Sequence, residues 1–202
     1  MQNKTAILVL AAGGSSRMGE PKQLLTWSRT TLLGSTIERA LELNNSEVFV
    51  VLGAFSEKIK QSIEKYSVSI VINKNWNLGM GASISSGVEE VLKRNCFENI
   101  LITLADQPFV NSEYLFHLIN IHGYNSNKII ASDYIGRAGV PAIFGKKYFS
   151  ELKELECEYG AKELLKKYFD FVEFPILDFF SEDIDTQENY NELIHRVKKK
   201  GC

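Results

Sequence analysis

The sequence predicts an α/β fold of the doubly wound kind, a Rossmann-like three-layer domain whose mostly parallel sheet lies between helices. Three observations predict it. Short runs such as residues 6–10 (AILVL) and 99–105 (NILITLA) are rich in β-branched residues and apolar on both faces, as strands covered on both sides must be. Between such runs lie segments with apolar residues at helical spacing. Loops with glycine or proline separate the two kinds, and strand, loop and helix repeat along the chain.

In order, residues 6–10 form the first strand and residues 23–27 a short second one. Leu33, Ile37, Ala40 and Leu41 then mark a helix. Residues 47–52 (EVFVVL) make a strand ending at Gly53, and SEKIKQSIEKY offers Ile59 and Ile63 behind a Ser56 cap. Residues 68–72 are a strand, Ile84, Val88, Val91 and Leu92 a helix, and residues 99–105 the next strand. Leu115, Leu118 and Ile119 stripe a helix, followed by a strand at 128–132. IGRAGVPAIFG reads as a hairpin or as a loop into the apolar residues 141–144. Helices at 148–155 and 161–168, a strand at 171–174 and a helix carrying Tyr190, Leu193, Ile194 and Val197 complete the order.

With 202 residues, 45% of them hydrophobic and 24% charged, the chain has enough material for one substantial core and little for two, so residues 1–202 are read as a single domain. A net charge of −2 supplies no basic field for nucleic acid. The apolar run near the N-terminus is too short to span a bilayer and lacks a cleavage signature, which points to a cytoplasmic protein without a membrane partner. Cys96, Cys157 and Cys202 are scattered and read as reduced thiols. His117, His122 and His195 have no partners at ligand spacing, so no histidine chemistry is expected.

Open α/β sheets bind ligands at the carboxyl ends of their strands. LAAGGSSRMGEPK, following the first strand, fits such a site. Gly13 and Gly14 permit φ > 0 and keep Cβ atoms away from a ligand approaching the backbone N–H groups. Ser15 and Ser16 add hydroxyls, and Arg17 and Lys22 add charge for phosphate oxygens. The loop is neither a Walker A motif nor a dinucleotide fingerprint.

Two further elements belong at the same sheet end. NKNWNLGMG precedes the Ile84 helix, where Ser83 is positioned to cap and free N–H groups face a ligand. Gly79 and Gly81 read either as shaping a tight turn, with Trp76 and Met80 packed inward, or as opening the backbone there to a nucleobase. Asp106, in Ala105-Asp106-Gln107-Pro108, puts a carboxylate at a strand end, suited to a hard cation such as Mg²⁺. Asp183 and Asp185 lie before the last helix, where Thr186 is its expected cap.

LAAGGSSRMGEPK resembles the LAAGxSxRMGxPK signature of NTP transferases, in the branch of molybdenum cofactor cytidylyltransferases and their guanylyltransferase relatives. NWNLGMGASISSG, ADQP and DIDTQENY are similar to that family's base-binding, metal-binding and terminal segments, the last with Gln187 in place of a proline. The resemblance implies a nucleotidyltransferase fold and Mg²⁺-dependent nucleotidyl transfer with release of pyrophosphate. It makes Arg17, Lys22 and Asp106 catalytic. Leu10, Ala11, Ala12, Gly13, Gly14, Ser15, Lys22, Asn73, Gly79, Gly81 and Ser83 would bind the nucleotide, and Asp106 and Asp185 the metal, with the choice between Asp183 and Asp185 left open. GRAGVPAIFG is similar to the acceptor-facing segment, which places Arg137 and Gly139 there and leaves Lys162 without a role.

Cytidylyl enzymes of the family tend to carry LAAG where guanylyl enzymes carry LAGG, so Ala12 points to CTP. The implied acceptor is the phosphorylated pterin of the molybdenum cofactor, with a cofactor-receiving molybdoenzyme as partner. Two alternatives stand: GTP or a sugar phosphate in the same reaction type, and a non-catalytic nucleotide-binding or cofactor-delivery protein.

Overall fold

The computed structural model describes residues 4–16, 18–156, 160–176 and 182–200, except for the side chains of 197–200. Arg17, Cys157, Ser181, Cys202 and the Val197 side chain lie outside the described residues. β1 (Thr5–Ala11) is buried along its whole length. It pairs in parallel with β4 (Ser46–Leu52) on one side and β6 (Asn99–Leu104) on the other, and β5 (Ser69–Ile72) lies parallel beyond β4. β8 (Ala138–Gly145) runs antiparallel to both β6 and β7 (Ile129–Asp133), and β9 (Val172–Glu173) pairs in parallel with β7 at the edge. The sheet order is β5-β4-β1-β6-β8-β7-β9.

Successive side chains of β1 point to opposite faces, so one strand feeds two cores. Ala6, Leu8 and Leu10 join Ile84, Val88 and Val91 of α3 (Met80–Arg94), together with residues of α5 (Phe149–Lys153) and α6 (Ala161–Lys167). Ile7, Val9 and Ala11 face the other way, toward α1 (Leu32–Leu41), α2 (Ser56–Ile63) and α4 (Ser112–Tyr124). These are the three expected layers. A smaller cluster packs Leu193 of α7 (Gln187–Lys200) and Ile184 against Trp27 and Leu32.

The differences from the sequence reading are local. Residues 23–27 are not one strand: a turn of 3₁₀ helix at Lys22–Leu24 precedes β2 (Thr26–Trp27), which pairs with β3 (Thr30–Thr31) in a small separate hairpin. Ser56 begins α2 rather than capping it, and Phe55 takes the cap position with φ +56°. Gly79, with φ +114°, precedes α3, so Ser83 sits one turn inside the helix and is no cap. Thr186 does cap α7, accepting from the Asn189 N–H at 3.1 Å. Residues 138–145 form the second strand of an antiparallel hairpin, turned at Tyr134, whose N–H donates to the Arg137 carbonyl at 2.8 Å.

Chain direction explains where a ligand belongs. From β1 the chain moves outward to β4 and β5, then returns to β6 on the other side of β1. The crevice between the carboxyl ends of β1 and β6 is therefore the topological switch point of the sheet. Among the described residues no helix is long and apolar enough to cross a membrane.

One buried group of the frame titrates in an accessible range. His122, near the end of α4, is 1% exposed, and neither ring nitrogen has a hydrogen-bond partner among the described residues. Burial, with the nearby Lys147 charge, pushes its pKa down to about 4. An unfolded chain protonates its histidine near pH 6.5. Between the two values the unfolded state takes up a proton that the fold refuses, so stability falls as the pH falls. The urea unfolding free energy is expected to drop by about 3 kcal/mol across this window from His122 alone, and His122→Leu to flatten that part of the profile.

Candidate active site

The crevice at the switch point is a cleft of about 310 Å³. Leu10, Ala11, Ala12 and Gly13 line it from the end of β1, and Leu104, Ala105 and Asp106 from the end of β6. Met80 and Ser83 enter from the first turn of α3, Lys22 and Gln23 from the 3₁₀ turn, and Asp185 from the segment before α7. Sequence-distant candidates thus meet in one place. The α3 N-terminus brings free N–H groups to the same cleft, the general arrangement for holding an anion.

The loop after β1 is held by a residue that its motif did not single out. Gln23 is 3% exposed, and its Nε2 donates to the carbonyls of Ala11 and Gly13, both at 2.9 Å. Ser15 Oγ accepts from the Lys22 N–H at 3.0 Å. Ser15, not Gly13 or Gly14, takes the positive φ, at +49°. The glycines serve by lacking a side chain. A Cβ on Gly13 would meet nothing within 4 Å, leaving open space beside the cleft, whereas one on Gly14 would stand 3.1 Å from the Trp76 ring.

Trp76 neither packs fully inward nor projects freely: it is 38% exposed and lies over Gly14 and Gly53. A Cβ on Gly53 would collide with Trp76 Cβ and come within 2.7 Å of the Ala12 carbonyl. Asn73 does not line the cleft. It is buried behind Ser83, its Nδ2 donating to Ser83 Oγ at 3.0 Å, while its Oδ1 accepts from the Asn75 N–H at 2.9 Å. Asn73 thereby fixes the end of β5 to the first turn of α3.

Charge is concentrated at the floor. Lys22 Nζ donates to Asp106 Oδ2 at 2.6 Å, to Asp185 Oδ1 at 3.0 Å and to the Ile184 carbonyl at 2.9 Å. Burial works to lower the Lys22 pKa, but the charges of Asp106 and Asp185 and the hydrogen bonds to them outweigh it and leave the pKa raised. Asp183 is not part of this contact. Its carboxyl end turns toward Gln107, whose Nε2 donates to Asp183 Oδ1 at 3.0 Å. Although the residue is largely open to solvent, loss of water around that end and the Asp106 charge push its pKa up against the Gln107 bond.

The donor set suits a hard divalent cation. Asp106 Oδ1 is buried with no hydrogen-bond partner among the described residues, an acceptor facing away from water, and Asp185 lies across Lys22 from it. Among the described residues no group of three or more His, Cys, Asp or Glu side chains is placed to hold a metal by itself. Two carboxylates then fit a cation that completes its shell with water and substrate phosphate.

A second cleft, of about 460 Å³, shares Met80 and Leu104 with the first. Arg137, Gly139, Lys162 and Asp183 line it, together with Gln107 and Tyr134, to which the sequence reading gave no role. Gly139 is small for a reason other than ligand approach: its Cβ would lie 2.5 Å from the Tyr134 ring. Arg17, assigned to phosphate by resemblance, is outside the described residues.

Residues 7–172 match the MobA-like NTP transferase domain. The chain belongs to the MobA-like NTP transferase family. Among curated proteins it is 34% identical over 118 residues to nicotine blue oxidoreductase of Paenarthrobacter nicotinovorans, covering 57% of this chain and 55% of that one. Purine catabolism protein PucB of Bacillus subtilis (strain 168) is 28% identical over 203 residues, 93% of this chain and 94% of its own. Molybdenum cofactor cytidylyltransferase of Escherichia coli (strain K12) is 29% identical over 101 residues, half of each chain. The chain thus spans about half the length of the first and third of these relatives.

Among solved structures, Rv0371c from Mycobacterium tuberculosis H37Rv superposes with a TM-score of 0.84 at 26% identity, over 96% of this chain and 100% of that one. A manganese complex of the same protein matches at 0.80 and 25%, over 95% and 98%.

The glycines separate into two testable kinds. Gly53→Ala, overpacked against Trp76 and the Ala12 carbonyl, is expected to lose about 1–3 kcal/mol in urea unfolding. Gly13→Ala, with open space around it, is expected to keep its stability and weaken nucleotide binding in equilibrium titration.

Proposed function

We propose that the chain, as a single cytoplasmic domain, transfers the cytidylyl group of CTP to the phosphate of molybdenum-loaded molybdopterin, with Mg²⁺ as the cation. The observation that carries this reading is the convergence of the Gly13 loop, the first turn of α3, Lys22, Asp106 and Asp185 on one cleft at the switch point. Such a site offers backbone donors for phosphate, an ammonium and a cation-binding carboxylate pair, and no protein nucleophile is needed.

An acceptor phosphate oxygen attacks the α-phosphorus in line. The bond to the bridging oxygen of the β-phosphate breaks, and pyrophosphate leaves with that oxygen. Gly13 leaves room for the phosphates beside the loop backbone, and Lys22 neutralises charge growing on the α-phosphate. Asp106 and Asp185 hold the cation, which when bound screens the triphosphate and pyrophosphate charge. Lys22 must give up its carboxylate contacts to do so, which couples nucleotide entry to cation entry. Arg17 is assigned to the β- and γ-phosphates on its charged fork of donors and on the family motif.

Ala12, 6% exposed in the cleft wall, supports the choice of CTP, because its methyl group takes space that a glycine would leave to a larger base. The named activity of the E. coli relative supports the same choice and the pterin acceptor. The adjoining 460 Å³ cleft, with Arg137 and Lys162 at its edge, suits an anionic acceptor larger than a simple sugar phosphate. A molybdoenzyme that receives the product is the implied partner.

The test is pyrophosphate release from CTP or GTP with Mg²⁺ and molybdenum-loaded molybdopterin, with the product identified by mass. CTP consumption and a cytosine dinucleotide product are expected, and clear preference for GTP overturns the choice of donor. Asp106→Ala is expected to slow release by about 10²-fold or more; a rate near wild type would remove the cation-binding role of Asp106.

A further inference from the structure

Gln107 stands between the two clefts, and the reaction outlined above gives it no task. It follows Asp106 beyond β6, is 2% exposed and so is committed to the interior. Its Nε2 donates to Tyr134 Oη at 2.8 Å and to Asp183 Oδ1 at 3.0 Å, with the Val140 carbonyl farther away at 3.4 Å. A side-chain amide carries two N–H hydrogens. The two shorter bonds use both. One therefore holds the hairpin wall of the acceptor-side cleft, and the other holds the segment that carries Asp185.

That segment needs holding. Residues 182–185 lie in neither helix nor strand. Their ties across the sheet end include the Ile184 N–H donating to the Asp106 carbonyl at 3.1 Å, the Lys22 bonds to Ile184 and Asp185, and the Gln107 bond to Asp183. When Lys22 turns to phosphate, its two bonds are lost. The bond from Gln107 does not involve Lys22 and therefore persists when Lys22 turns away. Tyr134 is fixed from its other side as well, since its Oη donates to the Val140 carbonyl at 2.5 Å. The Asp183 segment is thus referred to a rigid hairpin.

We propose that Gln107 is a positioning residue: through Asp183 it keeps the Asp185 carboxylate in register with Asp106 for a divalent cation, and through Tyr134 it ties that register to the wall of the acceptor-side cleft. This rests on the donor-site reading above. Both hydrogens of the Gln107 amide go to protein groups, Tyr134 and Asp183, so it acts on the cation through them. Its effect is on where a ligand carboxylate stands, the role that outer hydrogen-bond partners play at metal sites generally.

The experiment is Mn²⁺ binding followed by electron paramagnetic resonance, in the presence of CTP or GTP and without acceptor, so that turnover plays no part. Three proteins are compared: wild type, Gln107→Glu, and the swap Gln107→Glu/Asp183→Asn. Gln107→Glu removes both donated hydrogens and faces Asp183 with a second carboxylate. The added negative charge by itself draws Mn²⁺ more tightly, so a loss of affinity reports lost geometry. We expect a loss of about 10-fold or more. The swap keeps the total charge and reverses the bond: the amide introduced at position 183 donates to the carboxylate introduced at position 107, and the Tyr134 hydroxyl turns to donate to the same carboxylate. It should restore affinity to within about threefold of wild type.

Wild-type affinity in Gln107→Glu overturns the proposal, and so does a loss that the swap fails to repair. If wild type itself binds Mn²⁺ with neither nucleotide, the donor-site reading falls, and this inference with it. Should Gln107→Glu fail to fold by circular dichroism, Gln107→Met, which lacks the repulsive charge, takes its place, with the same loss expected and wild-type affinity again fatal to the proposal.

Discussion

One ammonium group orders this site. Lys22 Nζ reaches residues 84 and 163 positions away in the chain, and it is the point at which the loop after β1, the end of β6 and the C-terminal segment meet. A largely buried cation is unfavourable unless charge and hydrogen bonds return what water supplied. With its side chain 16% exposed, Lys22 is held by two carboxylates and a carbonyl. The same pairing keeps Asp106 and Asp185 from repelling each other. Remove the ammonium, and half-exposed Asp185 loses the bond that holds it toward Asp106, while Ile184 stays packed against Trp27 and Leu32.

The charge arithmetic of this contact has a chemical consequence. Around the floor of the cleft, the described residues set Lys22 against Asp106 and Asp185, with Asp183 close by. Such a site does not attract a free triphosphate. On the proposed reading, Asp106 and Asp185 would hold a divalent cation that arrives with the triphosphate, which would free the Lys22 ammonium for the phosphates. Partial positive charge is supplied by geometry as well, from the α3 N-terminus and the backbone of the Gly13 loop.

Much of this was legible in the sequence because it depends on patterns local to the chain. The two-faced apolar runs marked β1, β4 and β6, and the order of strand, loop and helix marked the sheet end at which Lys22 and Asp106 meet. What could not be read were contacts between residues far apart. Glycine in a loop suggests φ > 0, yet Ser15 takes the left-handed turn and Gly14 and Gly53 are small because Trp76 lies across them. Ser83 carries the composition of a cap, but the helix begins at Met80 because Gly79 supplies the turn before it. Gln23, Gln107 and Tyr134 gave no signal, since an amide or a phenol advertises a role only through the partners that the fold brings to it. Gly139 illustrates the same point: its motif suggested close approach by a ligand, and the close approach belongs to Tyr134.

The two clefts are joined through Met80, and this constrains how donor and acceptor come together. Its side chain lines both, and its Sδ lies 2.9 Å from where a Cβ of Gly160 would stand. Gly160, with φ +55°, is therefore required at this position both by its backbone and by the methionine packed on it. The contact sets the first turn of α3, which lines the 310 Å³ cleft, against the start of α6, which lines the 460 Å³ one, the proposed donor and acceptor sides. In-line transfer demands that the reacting atoms approach to about 3–3.5 Å, a tolerance that leaves little room for a shift of this side chain. An unbranched thioether is the adaptable choice for such a partition. Because the same side chain bounds both spaces, it cannot move aside for one ligand without reshaping the place of the other.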